Sequence, residues 1–234
     1  MAKSKPSSVV GGGFFLRVII FANGELNHQT FDIRNDDTLI AVDGGASHCL
    51  RLDLKPDIVL GDFDSLPDEE QARLAFAGSE LIRYPVRKDK IDLELGLILA
   101  IERGATEVLV YAALGARWDM TVANLLLLMH PKLQGPDIRF MDGLQEICII
   151  RAGEQITLNG HPGDTVSLIP LQGDALGIST TGLEYPLFRG TLQFGETKGV
   201  SNLLIRTLGS VSLEKGCLLC VLIHQDSSFS EKDK

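Results

Sequence analysis

The chain has 234 residues, 44% of them hydrophobic, and a formal net charge of -9, which allows one large domain or two modest ones. The acidic balance argues against non-specific nucleic-acid binding, because such binding requires a basic surface. No apolar run approaches the roughly 20 residues of a membrane span. We therefore expect a protein that binds neither nucleic acid nor membrane. The cysteines lack zinc-site spacing, and we interpret them as core residues of a cytoplasmic protein.

Strand-like and helix-like segments alternate between residues 14 and 143. The predicted strands are residues 17–22, 38–42, 57–60, 81–84, 107–113 and 138–141. The predicted helices are residues 46–52, 68–77, 89–103 and 119–129. Such alternation predicts a Rossmann-like α/β domain, in which helices cover both faces of a parallel sheet.

The pattern changes at residue 144, where short apolar or alternating runs are separated by Gly, Pro and Asn. The predicted strands are residues 147–150, 165–169, 191–194, 203–205 and 218–223. No amphipathic helix is evident, so we expect residues 144–226 to form a small antiparallel β-sandwich or barrel. Residues 1–13 and 227–234 are expected to be flexible tails.

Polar residues follow successive predicted strands of the first domain. They are, in chain order, Asp43 with Gly44, Asp62 with Asp64, Lys88 with Asp89 and Asp92, and Arg117 with Asp119. Because the carboxyl ends of parallel strands lie on one side of a sheet, these loops are expected to meet at one edge, where open α/β sheets bind ligands.

The aspartates predict a metal site. Asp62 and Asp64 stand two residues apart after the apolar run 58–60, and paired carboxylates are the oxygen ligands that Mg²⁺ prefers. Asp89 and Asp92 are three residues apart and would share one face of a starting helix. Together these four side chains are predicted to surround one or two Mg²⁺ ions, since so many acids in one place would repel one another without a cation.

Lys88 and Arg117 are predicted to neutralise phosphate oxygens that the metal leaves free. Each loop taken alone also fits a helix N-cap, a tight turn or a solvated surface. Their coincidence at one edge favours a nucleotide site. No Walker A motif is present, so nucleotide binding would be of another kind.

These segments together resemble the thiamine pyrophosphokinase (thiamine diphosphokinase) family. The motifs that carry the resemblance are Asp43-Gly44-Gly45, Gly61 to Ser65, Lys88 to Glu94, Gly115 to Asn124, Gly182 to Leu187 and Ser201-Asn202. They occur in the family order between about residues 19 and 223.

The resemblance implies an N-terminal α/β domain, for ATP and Mg²⁺, and a C-terminal β-sandwich, for thiamine binding and dimerisation. It implies an ATP:thiamine diphosphotransferase that acts as a homodimer and produces thiamine diphosphate and AMP. Asp62, Asp64, Asp92, Arg117 and Asp119 would be catalytic, with Asp119 as the base. Asp43, Gly44, Lys88 and Arg117 would bind ATP and its phosphates, and Ser201 and Asn202 would bind thiamine.

Two positions depart from the family motifs. Ile91 replaces a threonine and Met120 replaces a histidine, which removes two polar groups near the expected metal and phosphates. These departures leave alternatives open. They are a diphosphokinase for another hydroxymethyl heterocycle such as a pterin, and a non-catalytic protein that binds nucleotide or thiamine diphosphate. A haloacid dehalogenase-type phosphatase, suggested by the spacing of Asp62 and Asp64, ranks lower because it gives no role to Asp43 or Arg117.

Overall fold

The computed structural model describes residues 9–10, 13–14, 16–27, 30–64 and 66–225. Apart from the short strands at 9–10 and 13–14, the tails predicted at 1–13 and 227–234 lie outside these residues. The chain divides into two compact units, one up to Gly143 and one from Leu144. None of the helices in the described part of the chain has the length and apolar character that a membrane crossing requires.

Strands and helices alternate in the described part of the first unit. The strands are β1 (Val9–Val10), β2 (Gly13–Phe14), β3 (Arg17–Phe21), β4 (Thr38–Val42), β5 (Ile58–Gly61), β6 (Glu80–Arg83), β7 (Glu107–Tyr111) and β8 (Asp137–Asp142). The helices are α1 (Gly45–Arg51), α2 (Asp68–Phe76), α3 (Asp92–Glu102) and α4 (Trp118–Leu127), with a 3₁₀ turn at Pro131–Leu133. The predicted strands and helices of this unit are confirmed with small shifts of their ends. The start expected for α3 is wrong, because the helix begins at Asp92 and Asp89 lies in the preceding loop.

Strands β3 to β8 of this unit run parallel in the spatial order β8-β7-β3-β4-β5-β6. The central strand β3 is buried along its length, as are most residues of its neighbours. Continuous apolar runs of this kind are typical of strands that are covered on both faces. Because β7 pairs with β3 on the side opposite β4, the strand order reverses at β3, and all these carboxyl ends lie at one edge.

The second unit is built from antiparallel strands. In the described residues they are β9 (Gln145–Arg151), β10 (Gln155–Asn159), β11 (Thr165–Pro170), β12 (Ala175–Thr181), β13 (Gly190–Leu192), β14 (Asn202–Leu203), β15 (Leu208–Ser212) and β16 (Cys217–Ile223). They pair as β14-β11-β16-β9 and as β10-β15-β12-β13. The first set contains most of the strands that the sequence predicts, whereas β10, β12 and β15 escaped prediction.

The second unit has its own core. Val166, Ile178, Val211 and Leu218 are completely buried within one cluster of apolar side chains. With a parallel sheet and helices in one unit and antiparallel strands in the other, the protein has a mixed α/β fold.

Candidate active site

A cavity of about 600 Å³ lies at the carboxyl ends of the parallel strands. The loops that follow β3, β4, β5, β6 and β7 contribute to its wall. Its charged and amide side chains are Asn23, Glu25, Asp43, Asp62, Lys88, Lys90, Asp92, Arg117 and Asn124. The volume falls within the roughly 300–1,000 Å³ of typical small-molecule sites. Its place at the reversal of strand order is the usual ligand position in open α/β sheets.

Three carboxylates form a cluster at this edge. Oxygen atoms of Asp43, Asp62 and Asp64 lie within 4.8 Å of one another. Asp43 (φ 51°) and Phe63 (φ 64°) both adopt the left-handed backbone conformation, which is uncommon outside glycine and is concentrated at functional sites. The backbone N–H of Asp43 donates to the Leu60 carbonyl oxygen at 2.8 Å, which joins the ends of β4 and β5. The local backbone therefore holds the acids together.

Neighbouring polar groups fix the orientation of the cluster. Asn23 Nδ2 donates to Asp43 Oδ2 at 2.7 Å, and the Asp64 backbone N–H donates to Asp62 Oδ1 at 3.1 Å. A Cβ atom at Gly44 would lie 2.0 Å from Asn23 Oδ1, so a larger residue there would displace the Asn23 side chain from this position. Carboxylates held this close repel one another, and a bound cation would relieve that repulsion.

Asp92 lies beside the cluster as the first residue of α3. Lys88 Nζ is 3.1 Å from Asp92 Oδ1 in an ion pair, and it also donates to the Pro85 carbonyl oxygen at 3.2 Å. Burial raises the pKa of Asp92 and the charges of Asp43 and Asp62 raise it further, while Lys88 opposes them. The charges of the cluster therefore affect the pKa of Asp92, although Asp92 is not one of the three clustered carboxylates.

The remaining cations of the wall also have acidic partners. Lys90 forms an ion pair with Glu94, four residues later. Arg117 Nη2 lies 2.6 Å from Asp119 Oδ2, and both side chains are exposed. Hydrogen bonding from Arg117 holds the pKa of Asp119 below its ordinary range. A lysine ammonium or an arginine guanidinium has further donors, so each cation can keep its partner and still bind an anion.

The first turns of α3 and α4 line the cavity through Ile91, Asp92, Arg117 and Met120. Among the described residues, neither helix has a side-chain hydrogen bond at its N-cap. In α4 the carboxylate of Asp119 accepts from the Met120 backbone N–H, which shows that an anionic group binds at this helix start. Backbone N–H groups at a helix N-terminus and the helix dipole both favour anions. Ile91 and Met120, the two departures from the family motifs, thus stand where an anion would meet the helix starts.

The residues expected to bind thiamine lie in the second unit. Asn202 Oδ1 accepts from the Tyr185 backbone N–H at 3.1 Å, and Asn202 Nδ2 donates to the Tyr185 carbonyl oxygen at 2.8 Å. Ser201 is exposed, has a left-handed backbone (φ 61°), and donates its N–H to Ser167 Oγ at 3.1 Å. Asn202 therefore fixes the backbone of Tyr185 through two hydrogen bonds.

The structure brings together most of the predicted residues of the first unit. Asp43, Gly44, Asp62 and Asp64 lie at the acid cluster, and Lys88, Asp92 and Arg117 lie in the wall of the same cavity. Asp89 is exposed and belongs to neither the cluster nor the wall. Asp119 does not line the cavity, but its carboxylate accepts from Arg117 and from the backbone N–H of Met120, which both do. Ser65 lies outside the described residues.

Sequence reasoning missed the loop after β3, which supplies Asn23 and Glu25 to the wall. The signal was present, since Asn23-Gly24-Glu25 follows a buried apolar strand just as the other site loops do. No helix lies between β3 and β4 in the described residues, so this loop lacks the strand–helix alternation that marks the other site loops.

Two family models match the chain. One, described as "Thiamin pyrophosphokinase, catalytic domain", matches residues 32–140. The other, described as "Thiamin pyrophosphokinase, vitamin B1 binding domain", matches residues 153–218. The first match contains the acid cluster, and the second contains Ser201 and Asn202.

Individual relatives agree with the family models. The chain is 31% identical to the thiamine pyrophosphokinase of Bacillus subtilis (strain 168) over 182 residues, which are 78% of this chain and 85% of that protein. The crystal structure of a Bacillus subtilis thiamine pyrophosphokinase superposes with a TM-score of 0.80 at 26% identity, over 90% of this chain and 100% of the other. That from Geobacillus thermodenitrificans gives 0.79 at 28% identity, over 91% and 99%.

Proposed function

The chain belongs to the thiamin pyrophosphokinase family, and we propose on that basis that it transfers the diphosphoryl group of ATP to the hydroxyl of thiamine. The products are thiamine diphosphate and AMP. The observation that carries this function is the cluster of Asp43, Asp62 and Asp64 in a cavity whose wall also holds Lys88 and Arg117. Acids for a metal and cations for phosphates are what diphosphoryl transfer from a nucleotide requires.

We propose Mg²⁺ as the metal, because the donor set consists of carboxylate oxygens alone. Asp43, Asp62 and Asp64 would hold it, with Asp92 close enough to respond to their charge. A bound Mg²⁺ would neutralise phosphate charge and orient the polyphosphate. The exposed position of Asp89 makes it the weakest of the metal ligands that the sequence suggests.

The polyphosphate would be held by cations and helix starts. We propose that Lys88 and Arg117 donate to phosphate oxygens while Asp92 and Asp119 keep them in place. The first turn of α3, whose N-cap residue makes no side-chain hydrogen bond, and the Gly44 turn offer backbone N–H groups to the remaining oxygens. Most of the rate enhancement would therefore come from positioning and charge neutralisation.

In the transfer step, the thiamine hydroxyl oxygen forms a bond to the β-phosphorus of ATP. The bond from that phosphorus to the oxygen bridging the α-phosphate breaks, and AMP leaves with the bridging oxygen. The hydroxyl proton passes to water or to a phosphate oxygen, since only a weak acceptor is needed when the transition state is loose. Asp119 was the expected base, but its ion pair with Arg117 lowers its pKa and makes it a weaker one. We therefore propose that Asp119 mainly holds Arg117 in position.

The second unit would bind thiamine. We propose that thiamine contacts Ser201 and Tyr185, whose backbone is hydrogen-bonded to Asn202. These residues lie within the match to the vitamin B1 binding model. We also propose that the first unit is a Rossmann-like domain, that the second is a β-sandwich, and that the protein acts as a cytoplasmic homodimer. The exposed aromatic side chains of Tyr185 and Phe188 support a docking surface on the second unit.

The test is product analysis of the purified protein with ATP, thiamine and Mg²⁺. AMP and thiamine diphosphate should appear in equal amounts and should both disappear when the metal is chelated. A hydroxymethyl pterin offered in place of thiamine should give no AMP. Binding of both substrates without turnover, or release of inorganic phosphate in place of AMP, would refute the proposed function.

A further inference from the structure

The loop after β3 is fastened to the loop after β7. Three backbone N–H groups, those of Ala22, Gly24 and Glu25, donate to the carbonyl oxygens of Tyr111, Ala112 and Leu114 at 2.9, 2.7 and 2.9 Å. These bonds extend the pairing of β3 with β7 beyond the ends of both strands. The two loops therefore meet in the wall of the cavity as one connected piece of backbone.

Gly24 and His48 make this connection rigid. A Cβ atom at Gly24 would lie 2.3 Å from the Leu114 carbonyl oxygen, so only glycine allows the loops to approach this closely. His48 Nε2 donates to the Gly24 carbonyl oxygen at 3.0 Å from the other side. Burial lowers the pKa of His48, which keeps the ring neutral with its proton on Nε2.

The side chain of Glu25 adds a further hydrogen bond between the loop after β3 and the loop after β7. Its Oε1 accepts from the Ala116 backbone N–H at 3.1 Å. Gly115 passes so close that a Cβ atom there would lie 3.2 Å from Glu25 Cγ. The backbone and the carboxylate of Glu25 thus hold Leu114 and Ala116, which lead directly into Arg117.

A carboxylate in a cavity for phosphates is unfavourable on charge alone, because it repels the ligand. Glu25 nevertheless lies in the wall of this cavity, and its carboxylate is engaged by a backbone N–H just before the start of α4. A negative charge near a helix N-terminus is favourable. Its position is thus explained by its hold on the loop rather than by contact with the nucleotide.

We propose that Glu25 is a positioning residue for the diphosphoryl transfer, holding residues 114–116 so that Arg117 and the first turn of α4 meet the phosphates. The proposal rests on the proposed function, since it assigns Arg117 to the phosphates of ATP. Glu25 acts as a hydrogen-bond acceptor. A glutamine keeps an acceptor in the same place, so Glu25→Gln should retain most of the function of Glu25.

The test compares Glu25→Ala, Glu25→Gln, Arg117→Ala and the double variant Glu25→Ala/Arg117→Ala. Loss of one such bond predicts that Glu25→Ala lowers kcat/KM for MgATP about tenfold, with KM for thiamine unchanged and Glu25→Gln within about threefold of the wild type. Because Glu25 acts through Arg117, its replacement should change little once Arg117 is absent. The control is Glu154→Ala, which removes a 2.8 Å bond to the Arg151 backbone N–H in the second unit and should leave the kinetics unaltered.

Hydrogen exchange at the Ala116 amide gives a readout without catalysis. Exchange should accelerate in Glu25→Ala and not in Glu25→Gln, whether or not the protein turns over thiamine. If the wild type makes no thiamine diphosphate, the proposed function fails while the exchange result still tests the hold on the loop. Normal kinetics in Glu25→Ala, fully additive losses in the double variant, a raised KM for thiamine, or unchanged exchange would each overturn the role of Glu25.

Discussion

Charge is paired within the chain at the amino edge of the parallel sheet, whereas at the carboxyl edge acids gather around a cavity. Arg17, the first residue of β3, is only 3% exposed. Its Nε and Nη2 donate to the two carboxylate oxygens of Asp37 at 2.8 and 2.7 Å, and its Nη1 donates to Asp32 Oδ2 at 2.6 Å. The hydrogen bonds that Arg17 donates to Asp37, above all, keep the pKa of Arg17 above its ordinary range.

The carboxyl edge is arranged differently. Asp43, Asp62 and Asp64 approach one another, and the nearby cations Lys88 and Arg117 pair with other acids instead. The comparison teaches that the arrangement of charges differs between a part that stabilises the fold and a part that serves a ligand. At the amino edge a guanidinium lies between its two acids, while at the carboxyl edge three acids lie close enough together to bind the metal that we propose.

Removing Arg17 should have the largest effect on stability. Arg17→Met leaves the side chain of Asp37, which is 1% exposed, buried without its cation. We expect the free energy of unfolding to fall by about 3 to 5 kcal/mol, measured by urea denaturation. Arg17→Lys keeps the charge but loses the forked contact with Asp37, so it should cost less, about 1 to 3 kcal/mol.

The control for Arg17 is Arg103→Met, which breaks a half-exposed ion pair with Glu80. Exposed pairs of this kind contribute less than about 1 kcal/mol, so the control should unfold almost like the wild type. Equal losses in Arg17→Met and Arg103→Met would show that burial of the amino-edge pair adds nothing, and the contrast between the two edges would fail.

At the carboxyl edge, Asp62→Asn should separate activity from stability. Loss of one carboxylate of the cluster should lower kcat by about 100- to 1,000-fold, as removal of a key electrostatic group does in other enzymes. Without metal the variant should unfold at the same temperature as the wild type or higher, since one source of repulsion is gone. Mg²⁺ at about 100 times its Kd should stabilise the wild type by about 2.7 kcal/mol and the variant by much less.

Asp142→Asn is the matched control, because Asp142 ends β8 at the same edge but lies outside the acid cluster. It should retain both activity and the response to Mg²⁺. Should Asp62→Asn keep its rate and its metal dependence, the cluster would not be the metal site. A large drop in its metal-free stability would instead give the carboxyl edge the structural role that we assign to the amino edge.

The strands of the first unit were predicted well from the amino-acid sequence, but three of the eight strands described in the second unit were not. Continuous apolar runs such as those of β3 and β4 reveal strands buried on both faces. Strands β10, β12 and β15 were missed because their outward positions carry Ser, Thr, Gln and Asn, and their apolar positions are few. Such strands form through pairing with one another, for example Thr157 with Ser210, and this pairing has no local signal.

The candidate site shows the same limit. Spacing placed Asp62 and Asp64 together, because two residues on one loop are close in any fold. The membership of Asp43 in the cluster depends on the hydrogen bond that joins β4 to β5 and on its own left-handed backbone. The hydrogen bond between Glu25 and Ala116 joins residues that are 91 positions apart. Spacing along the chain does not predict contacts at such a separation.

A partly buried charge cluster in the second unit also pairs its charges within the chain, as the amino edge does, and it predicts a pH dependence of stability. His224 lies between Glu146 Oε1 and Asp164 Oδ2, at 2.9 Å from each. The hydrogen bond with Glu146, and less strongly that with Asp164, raises the pKa of His224 to about 9 despite its partial burial. Since this pKa exceeds the roughly 6.5 of an unfolded chain, the folded state binds the proton more tightly.

The stabilisation by His224 should therefore be complete below pH 6.5 and should disappear as the pH rises through about 9. Because the ring is partly exposed, we expect a contribution of about 1 to 3 kcal/mol, smaller than that of Arg17. His224→Gln should unfold earlier than the wild type at pH 6, and the two should converge near pH 10. His161→Gln, which replaces an exposed ring beside the same Asp164, should follow the wild type throughout. A difference between His224→Gln and the wild type that is constant with pH would mean that packing, and not the proton, is what this histidine contributes.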